Sequence, residues 1–541
     1  MRRAAIANAV SVLAGSVVIL AAWILVPTKS ANLCGGSAIL QVWSSIEPGK
    51  YTGKRQRPGA VEAVARSIGT CVRVEGKSSG LAEKELEDLW GGAPGDAPDV
   101  WLPSDSLWVN LLNSSLPASE RVRIGRSLAS SRMVIAVTKD RAAALGWTPT
   151  EPPTWSDIRD AVAEQRLLLI KENARDSTSG AMSTLLAYRA GSTRPLPGVE
   201  RIRSGPSPAL ALQIERAVAW YPAEIVDFLG KLDAAQQPRS LLHGADAIVL
   251  QGALFAQYPK LASTLEALPI RNESARTDHP YVRRPHLSGA VKTLADAFER
   301  RLAGTVGRKE FAARRFEGPV RRGSEWFRES SVVQAVLQKW TDELRRRVRL
   351  TILLDESVPL TDAERAALRA GLRTSLRRLS DTDHVALVGF PDPSDGLVDP
   401  LPRRPGAPDD PRFERPQELA DTLPDALRDA TATTTRRTPL LEAMVGAAEH
   451  LEKLDPDPQN PETRAVITLT ARADTVASEG RRRELLEAVA TSKPNVVHYV
   501  VPIRLPHPML DELDRHAPVL GRTGDLTTAL LSIVTELGAE P

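Results

Sequence analysis

The sequence predicts an α/β protein of two large domains behind an N-terminal apolar helix, and three observations carry that prediction. The chain has 541 residues, more than one hydrophobic core holds, since single cores stop growing near about 250 to 300 residues. Short apolar runs alternate with amphipathic stretches from residue 38 onward, the pattern of strands and helices in α/β folds. Ile6 to Val26 is a run of 21 residues without a charge. Charge excludes one class of function: 70 basic against 67 acidic residues leave a net +3, and no basic run is dense enough for a nucleic-acid footprint.

The first element, residues 1–30, reads as a membrane segment. Its uncharged run is long enough to cross about 30 Å of hydrocarbon. Arg2 and Arg3 precede it and only Lys29 follows closely, so the bulk of the chain is expected outside the cytoplasm, with a single pass through the cell membrane. Lys29 stands where a cleavage site after Ala31 wants a small residue, which favours a retained anchor over a cleaved signal. The two cysteines, Cys34 and Cys71, fall just beyond. In an oxidising compartment they most economically form one disulfide, with two unpaired thiols as the alternative. Ala31-Asn32-Leu33 ahead of Cys34 does not match a lipobox.

Residues 35–330 read as the first domain. Ala38 to Trp43 is a strand ending in Ser44 and Ser45, Pro58 to Ile68 a helix, and Cys71 to Glu75 a second strand. Ser78 and Ser79 then lead into a helix to Trp90. Asp99 to Leu102 is a third strand, followed by Ser104 and Asp105. Each strand thus runs into a Ser-rich turn, and ligands of open α/β sheets bind at such carboxyl ends, where helix N-termini present N–H groups. Asp176, Ser177 and Thr178 precede the apolar helix Met182 to Tyr188 in the same way. The bland reading is that each of these residues only caps a helix; as a set they are candidates for one cleft.

The order of these pieces resembles a type II extracellular solute-binding protein, of the kind found in actinobacteria fused to a von Willebrand factor A (VWA) domain. The resemblance is carried by Cys34 with Cys71, Pro98-Asp-Val-Trp-Leu-Pro-Ser104, Ser131-Arg-Met-Val-Ile-Ala-Val137, Leu145-Gly-Trp147 with Thr154-Trp155, and Asp278-His-Pro-Tyr-Val282. It implies a two-lobed, periplasmic-binding-protein-like domain with a cleft between the lobes. The chain would cross near Ser130 to Val137 and return near Leu268 to Tyr281, with the second lobe spanning Trp155 to about Pro259. Where such proteins tend to carry a Glu-Gln pair, this chain keeps only Gln251.

Residues 331–347 read as a helical connector, with Trp340 to Arg349 as a charged helical tail, and 348–541 as the second domain. Val348 to Leu354 is an apolar strand ending in Asp355-Glu-Ser357-Val-Pro359. Thr361 and Glu364 open a helix with Leu368, Leu372, Leu376 and Leu379 on one face. Asp383 to Phe390 is a strand, and Pro391 to Pro416, with eight prolines, an exposed loop. Thr438-Pro-Leu440 leads into a helix to Leu454; Ala465 to Thr470 and Asn495 to Val501 are strands, and a helix begins near Asp525.

Asp-x-Ser at a strand end and a later Thr-Pro-Leu resemble the metal site of VWA domains, which implies a doubly wound, Rossmann-like fold. Asp355, Ser357 and Thr438 match the ligand positions. Pro359 replaces the second Ser, and Ala471 stands where an Asp is wanted. Mg²⁺ needs near-octahedral oxygen ligation, so this degenerate set is expected to be empty or weakly occupied, with the guanidinium of Arg472 as a substitute cation. Asp474 lies about 10 Å farther along an extended chain.

No enzyme constellation emerges: there is no metal-protease helix, no P-loop and no nucleophile elbow. The leading reading is a membrane-tethered binding protein with a solute cleft and a VWA domain that contacts an unknown protein partner, without a cofactor. The alternative is a cell-surface scaffold with no small-molecule ligand.

Overall fold

The computed structural model describes residues 34, 38–45, 59–92, 97–192, 198–222, 225–234, 242, 245–271, 276–320, 327, 329–355, 360–380, 382–390, 413–429, 440–454, 462–471, 479–491, 496–504 and 526–537. Three α/β sheets organise them. The expected membrane segment lies outside these residues; among the described residues no helix is long and apolar enough to cross a membrane.

The first lobe is built from β1 (Leu40–Ser44), α1 (Ala60–Arg66), β2 (Val72–Gly76), α2 (Ser79–Trp90), β3 (Val100–Leu102) and α3 (Ser106–Ser115). β1 is central, parallel to β2 in the register Val42↔Val74 and to β3 in the register Val42↔Val100. All three strands therefore end on one side, so the serine turns that follow them share one edge of the sheet. Leu40, Val42, Val100 and Leu102 bury one face with Val61 and Val64 of α1. Cys34 and Cys71 are joined in a disulfide across 37 residues, tying the segment before β1 to the start of β2.

The second lobe begins with β4 (Ser131–Thr138) and α4 (Lys139–Leu145), then α5 (Trp155–Ala163), β5 (Leu169–Lys171), α6 (Thr178–Gly191), α7 (Val199–Ser204), α8 (Ala209–Arg216), β6 (Val218–Trp220), α9 (Ile225–Ala234), β7 (Ala247–Gln251), α10 (Gly252–Phe255), β8 (Leu265–Pro269) and β9 (Arg276–Thr277). Its sheet runs β6-β5-β7-β4-β8, with β9 pairing the start of β4. Thr154 and Asp157 form a capping box that starts α5. The sequence assigns Ser130 to Val137 to the crossover, but this run is a full strand between β7 and β8. A short apolar run gives no sign of whether it links two sheets or lies inside one. The crossover is shorter and flanks it: Ser127 bridges Pro280, and Ser131 pairs Thr277. The chain then returns through β10 (Val282–Arg283), antiparallel to β3, and α11 (Gly289–Ala303) and α12 (Thr305–Ala313) complete the first lobe.

The connector is not a free spacer. α13 (Ser330–Lys339) and a π-helical turn, Trp340–Leu344, pack into the core shared by both lobes. Gln334 Nε2 donates to Ser114 Oγ of α3 at 3.0 Å, while Trp340 Nε1 donates to Glu215 Oε2 of α8 at 3.1 Å. The tail is helical only to Leu344; Arg347 to Arg349 already belong to the next strand. A run of charged residues suits a helix by propensity, but the neighbouring strands here offer a ladder that overrides it.

The third sheet is all parallel in the order β12-β11-β13-β14, made by β11 (Arg347–Asp355), α14 (Asp362–Leu376), β12 (His384–Phe390), α15 (Pro416–Asp429), α16 (Leu440–Lys453), β13 (Glu462–Thr470), α17 (Glu479–Thr491), β14 (Val496–Pro502) and α18 (Leu526–Glu536). Its strands are near-continuous Val/Ile/Leu runs because helices cover both faces: Ile352 and Leu354 pack with Leu368, Leu372 and Ile533 on one side, Leu353 with Leu441 and Met444 on the other. The box that the sequence places at Thr361 and Glu364 is present. The proline-rich loop ends sooner than expected, since Glu414 bridges Val385 and Pro416 begins α15; proline at a first helical position needs no N–H partner.

Candidate functional site

The first wall of the candidate cleft is the carboxyl edge of β1, β2 and β3. Ser44 donates its hydroxyl to Ser45 O at 3.2 Å. Ser45 is anchored by its N–H to Leu102 O at 2.8 Å, and its own hydroxyl is buried with no protein partner. Ser79 Oγ accepts from Ser104 N at 3.0 Å and lies 3.3 Å from Ser104 Oγ. Asp105 is buried and caps α3 through Leu107 N at 2.8 Å. Asp278, from the returning segment, accepts from Ser106 N at 2.8 Å. Burial first, and the neighbouring Asp278 charge second, push the Asp105 carboxyl well above the usual carboxylate range.

The second wall is the turn between β5 and α6. Ser177 caps α6 through Gly180 N at 3.0 Å, and Thr178 Oγ1 accepts from Trp108 Nε1 of the first lobe at 2.8 Å. The Ser179 hydroxyl is buried with no protein partner. The Asp176 carboxylate accepts from Ser78 Oγ, and the Asp176 C=O lies 3.0 Å from the same hydroxyl. Of the ten cleft candidates, Ser79 and Ser104 are linked within the first wall and Ser78 and Asp176 across the two, Thr178 reaches Trp108 of the first lobe, and Asp105 and Ser177 cap the helices that follow them. Ser44 is turned to its own neighbour. Gln251 lies at the end of β7 beside the crossover, where its Oε1 accepts from Thr277 Oγ1 at 3.1 Å.

At the crossover, His279 has φ +36°, a left-handed conformation costly for a residue with a Cβ. It is held there by its N–H to Ser104 O and by its own C=O, which accepts from Leu128 N, both at 3.1 Å. Its ring lies edge-on to Phe316, and Nε2 is 3.2 Å from Thr277 Oγ1. Burial lowers its pKa to about 3, so the imidazole is neutral at any ordinary pH.

Behind the second wall, Lys171 is fully buried and pairs with Glu215. Thr184, Tyr221 and Trp340 complete the shell, with hydrogen bonds of 2.9, 3.3 and 3.1 Å to Glu215. Burial lowers the Lys171 pKa, opposed by the Glu215 charge. This network fastens the connector to the second lobe.

In the third sheet, Asp355 ends β11 at the point where β12 lies on one side and β13 on the other. That is the topological switch point, where open parallel sheets bind ligands. Asp355 is buried, and its Oδ2 accepts from Thr470 Oγ1 at 3.0 Å and from Ala471 N at 3.1 Å. Ser357, Pro359, Thr438, Arg472 and Asp474 lie outside the described residues. A cation not foreseen in the sequence is Arg504, just past β14: it pairs with Glu364 at 2.7 and 2.9 Å, and the Asp355 charge also acts on it. Among the described residues no three carboxylate, His or Cys side chains come together as a metal site.

Residues 60–314, somewhat under half of the chain, match the family model described as bacterial extracellular solute-binding protein. No curated protein matches. Among solved structures, the periplasmic binding protein AfuA from Actinobacillus pleuropneumoniae, with exogenous fructose-6-phosphate bound, is 11% identical with a TM-score of 0.39, covering 57% of this chain and 99% of that one. A periplasmic thiamin binding protein is 10% identical with a TM-score of 0.38, covering 56% and 95%. A solute-binding protein from Thermotoga lettingae, bound with α-D-tagatose, is 13% identical with a TM-score of 0.36, covering 56% and 86%. Likenesses this distant carry no functional argument.

Within the solute-binding-family match, sequence reasoning missed Gly80, Trp108 and Thr277 as cleft or crossover residues, and reads Ser179 only as part of the Ser/Thr cluster from Asp176 to Gly180. Asp278 and His279 were noticed only as part of a family stretch. Gly80 gives no signal beyond following two serines, and Trp108 reads as an ordinary apolar helix position.

Proposed function

We propose that this chain is an extracytoplasmic solute-binding protein, tethered by its N-terminal segment, whose two-lobed domain takes a small polar solute. It is not an enzyme on this reading. The observation that carries the proposal is a pair of buried hydroxyls without protein partners, Ser45 Oγ on one wall and Ser179 Oγ on the other. Orphaned buried polar groups are costly, and a hydroxyl- or amide-bearing solute between the walls satisfies them. The family match over 60–314 supports the same reading. The domain from 348 onward is proposed as a VWA-like module that contacts a protein partner without a metal. In support, Asp355 ends a central parallel strand and is held by Thr470 and Ala471.

Thermal-shift screening of the full chain against sugars, amino acids and oxyanions tests the first proposal. A solute at about 100 times its Kd adds about 2.7 kcal/mol, a clear and saturable rise in melting temperature; no rise with any of these classes refutes it. The scaffold reading is favoured by one observation: the walls touch directly, Gly80 N donating to Asp176 O at 2.7 Å.

A further inference from the structure

That contact has a construction of its own. Ser78 is the N-cap residue of α2, yet its side chain makes no bond to its own helix. It turns instead to the opposite lobe, where its hydroxyl donates to the Asp176 carboxylate and lies 3.0 Å from the Asp176 C=O. That same carbonyl accepts from Gly80 N in the first turn of α2, at 2.7 Å. The first-turn donors of a helix need outside partners, and here Asp176, 98 positions on from Ser78 in sequence, supplies the one for Gly80. The fit leaves no slack: a Cβ on Gly80 would stand 2.2 Å from Arg175 O and 2.6 Å from Asp176 O, both backbone atoms. Trp108 to Thr178 adds a second direct bond between the lobes.

In a two-lobed cleft the bound solute ordinarily bridges the walls and stabilises closure. Here the chain bridges them itself. We propose that Asp176 is a built-in latch on the N-terminus of α2, holding the lobes closed without solute, so that a solute enters only after the Ser78–Asp176–Gly80 contact opens. The latch rests on the two-lobed architecture and on no particular solute. The statement about solute entry rests on the solute-binding proposal, whereas the latch itself is read without solute, so the two can fail separately.

Its test is electron–electron distance measurement on the full-length protein without added solute, with nitroxides at Lys309→Cys on the first lobe and Lys260→Cys on the second. Amide exchange at Gly80 is followed alongside. The wild-type background should give one narrow distance distribution and a protected Gly80 amide. Gly80→Ala, whose methyl forces the backbones apart, should give a displaced or broadened distribution. Asp176→Ala should speed Gly80 exchange about tenfold or more, the effect of losing one charge-assisted hydrogen bond, while Asp176→Asn, which still accepts from Ser78, should change it less. If Gly80→Ala fails to fold by circular dichroism, Asp176→Ala and Ser78→Ala carry the same readouts. A broad, two-population distribution in the wild-type background overturns the latch, and so do folded variants that match the wild type in both distance and exchange.

Discussion

Replacing Asp383 by alanine should destabilise the third sheet by about 3 to 5 kcal/mol, the cost of breaking a buried ion pair by removing one partner. Asp383 is fully buried at the start of β12 and accepts four hydrogen bonds. Two come from the Arg345 guanidinium at 3.2 and 2.6 Å, and one each from Val348 N and Ser380 N, both at 2.8 Å. The Arg345 side chain is only 2% exposed, so the alanine variant strands a buried cation next to two unpaired N–H groups. For a region of this size the loss corresponds to about 6 to 20 °C in melting temperature. All 10 Trp precede residue 341, so Trp fluorescence follows the first two sheets, while far-UV circular dichroism also follows the third. The variant should shift the dichroism transition and move the fluorescence transition less. The double variant Asp383→Leu with Arg345→Leu should recover part of the loss, because no lone charge remains. A single-variant loss under about 1 kcal/mol, or a double variant no better than the single, refutes the reasoning.

Burial, followed by the Glu87 charge, raises the Glu83 pKa from 4.5 to about 7, against the opposing Lys84 and Arg175. The folded state then binds the extra proton, so the Glu83 contribution is most favourable below pH 4.5 and is lost as pH rises through about 7; Glu83→Gln should flatten that part of a stability–pH curve. Reducing the Cys34–Cys71 disulfide, which closes a 37-residue separation, should cost about 4 kcal/mol in the chain-entropy relation, measured by urea unfolding with and without reductant. Thr361→Ala removes the capping box of α14 and should cost about 1 kcal/mol, read from the dichroism transition. Added Mg²⁺ should leave the wild-type melting temperature unchanged, whereas Pro359→Ser with Ala471→Asp should produce a rise that a chelator reverses; a chelator-reversible rise in the wild type contradicts the account of this site.

Local chemistry was the part of the fold legible in the sequence. The Thr361 to Glu364 box, the serine turns after β1 and β3, and the apolar run ending at Asp355 each depend on neighbours a few residues away, and each appears where the pattern puts it. What failed was what depends on distant partners. β4 reads as a link because its apolar run says nothing of the strands on either side, and the Glu414 to Val385 bridge, inside the stretch read as loop, depends on a strand outside it. Within the candidate cleft, the residue types were legible but their use was not. Asp176 reads as a helix-start residue, and only the fold shows it serving a helix of the other lobe. Gln251 reads as a cleft residue and lies instead at the crossover. Arg504, whose charge interacts with Asp355, follows a different strand, and nothing in its own sequence neighbourhood signals that.

The central claim, that orphaned polar atoms on the two walls exist to hold a solute, meets its most direct test in calorimetric titration. The full chain and the variant Ser45→Ala with Ser179→Ala are titrated with the sugar, amino acid or oxyanion that raises the melting temperature most. The account predicts one-to-one saturable binding whose Kd rises at least about tenfold in the variant, the loss of two neutral hydrogen bonds. Absence of binding heat in the wild type, or an unchanged Kd in a folded variant, contradicts it.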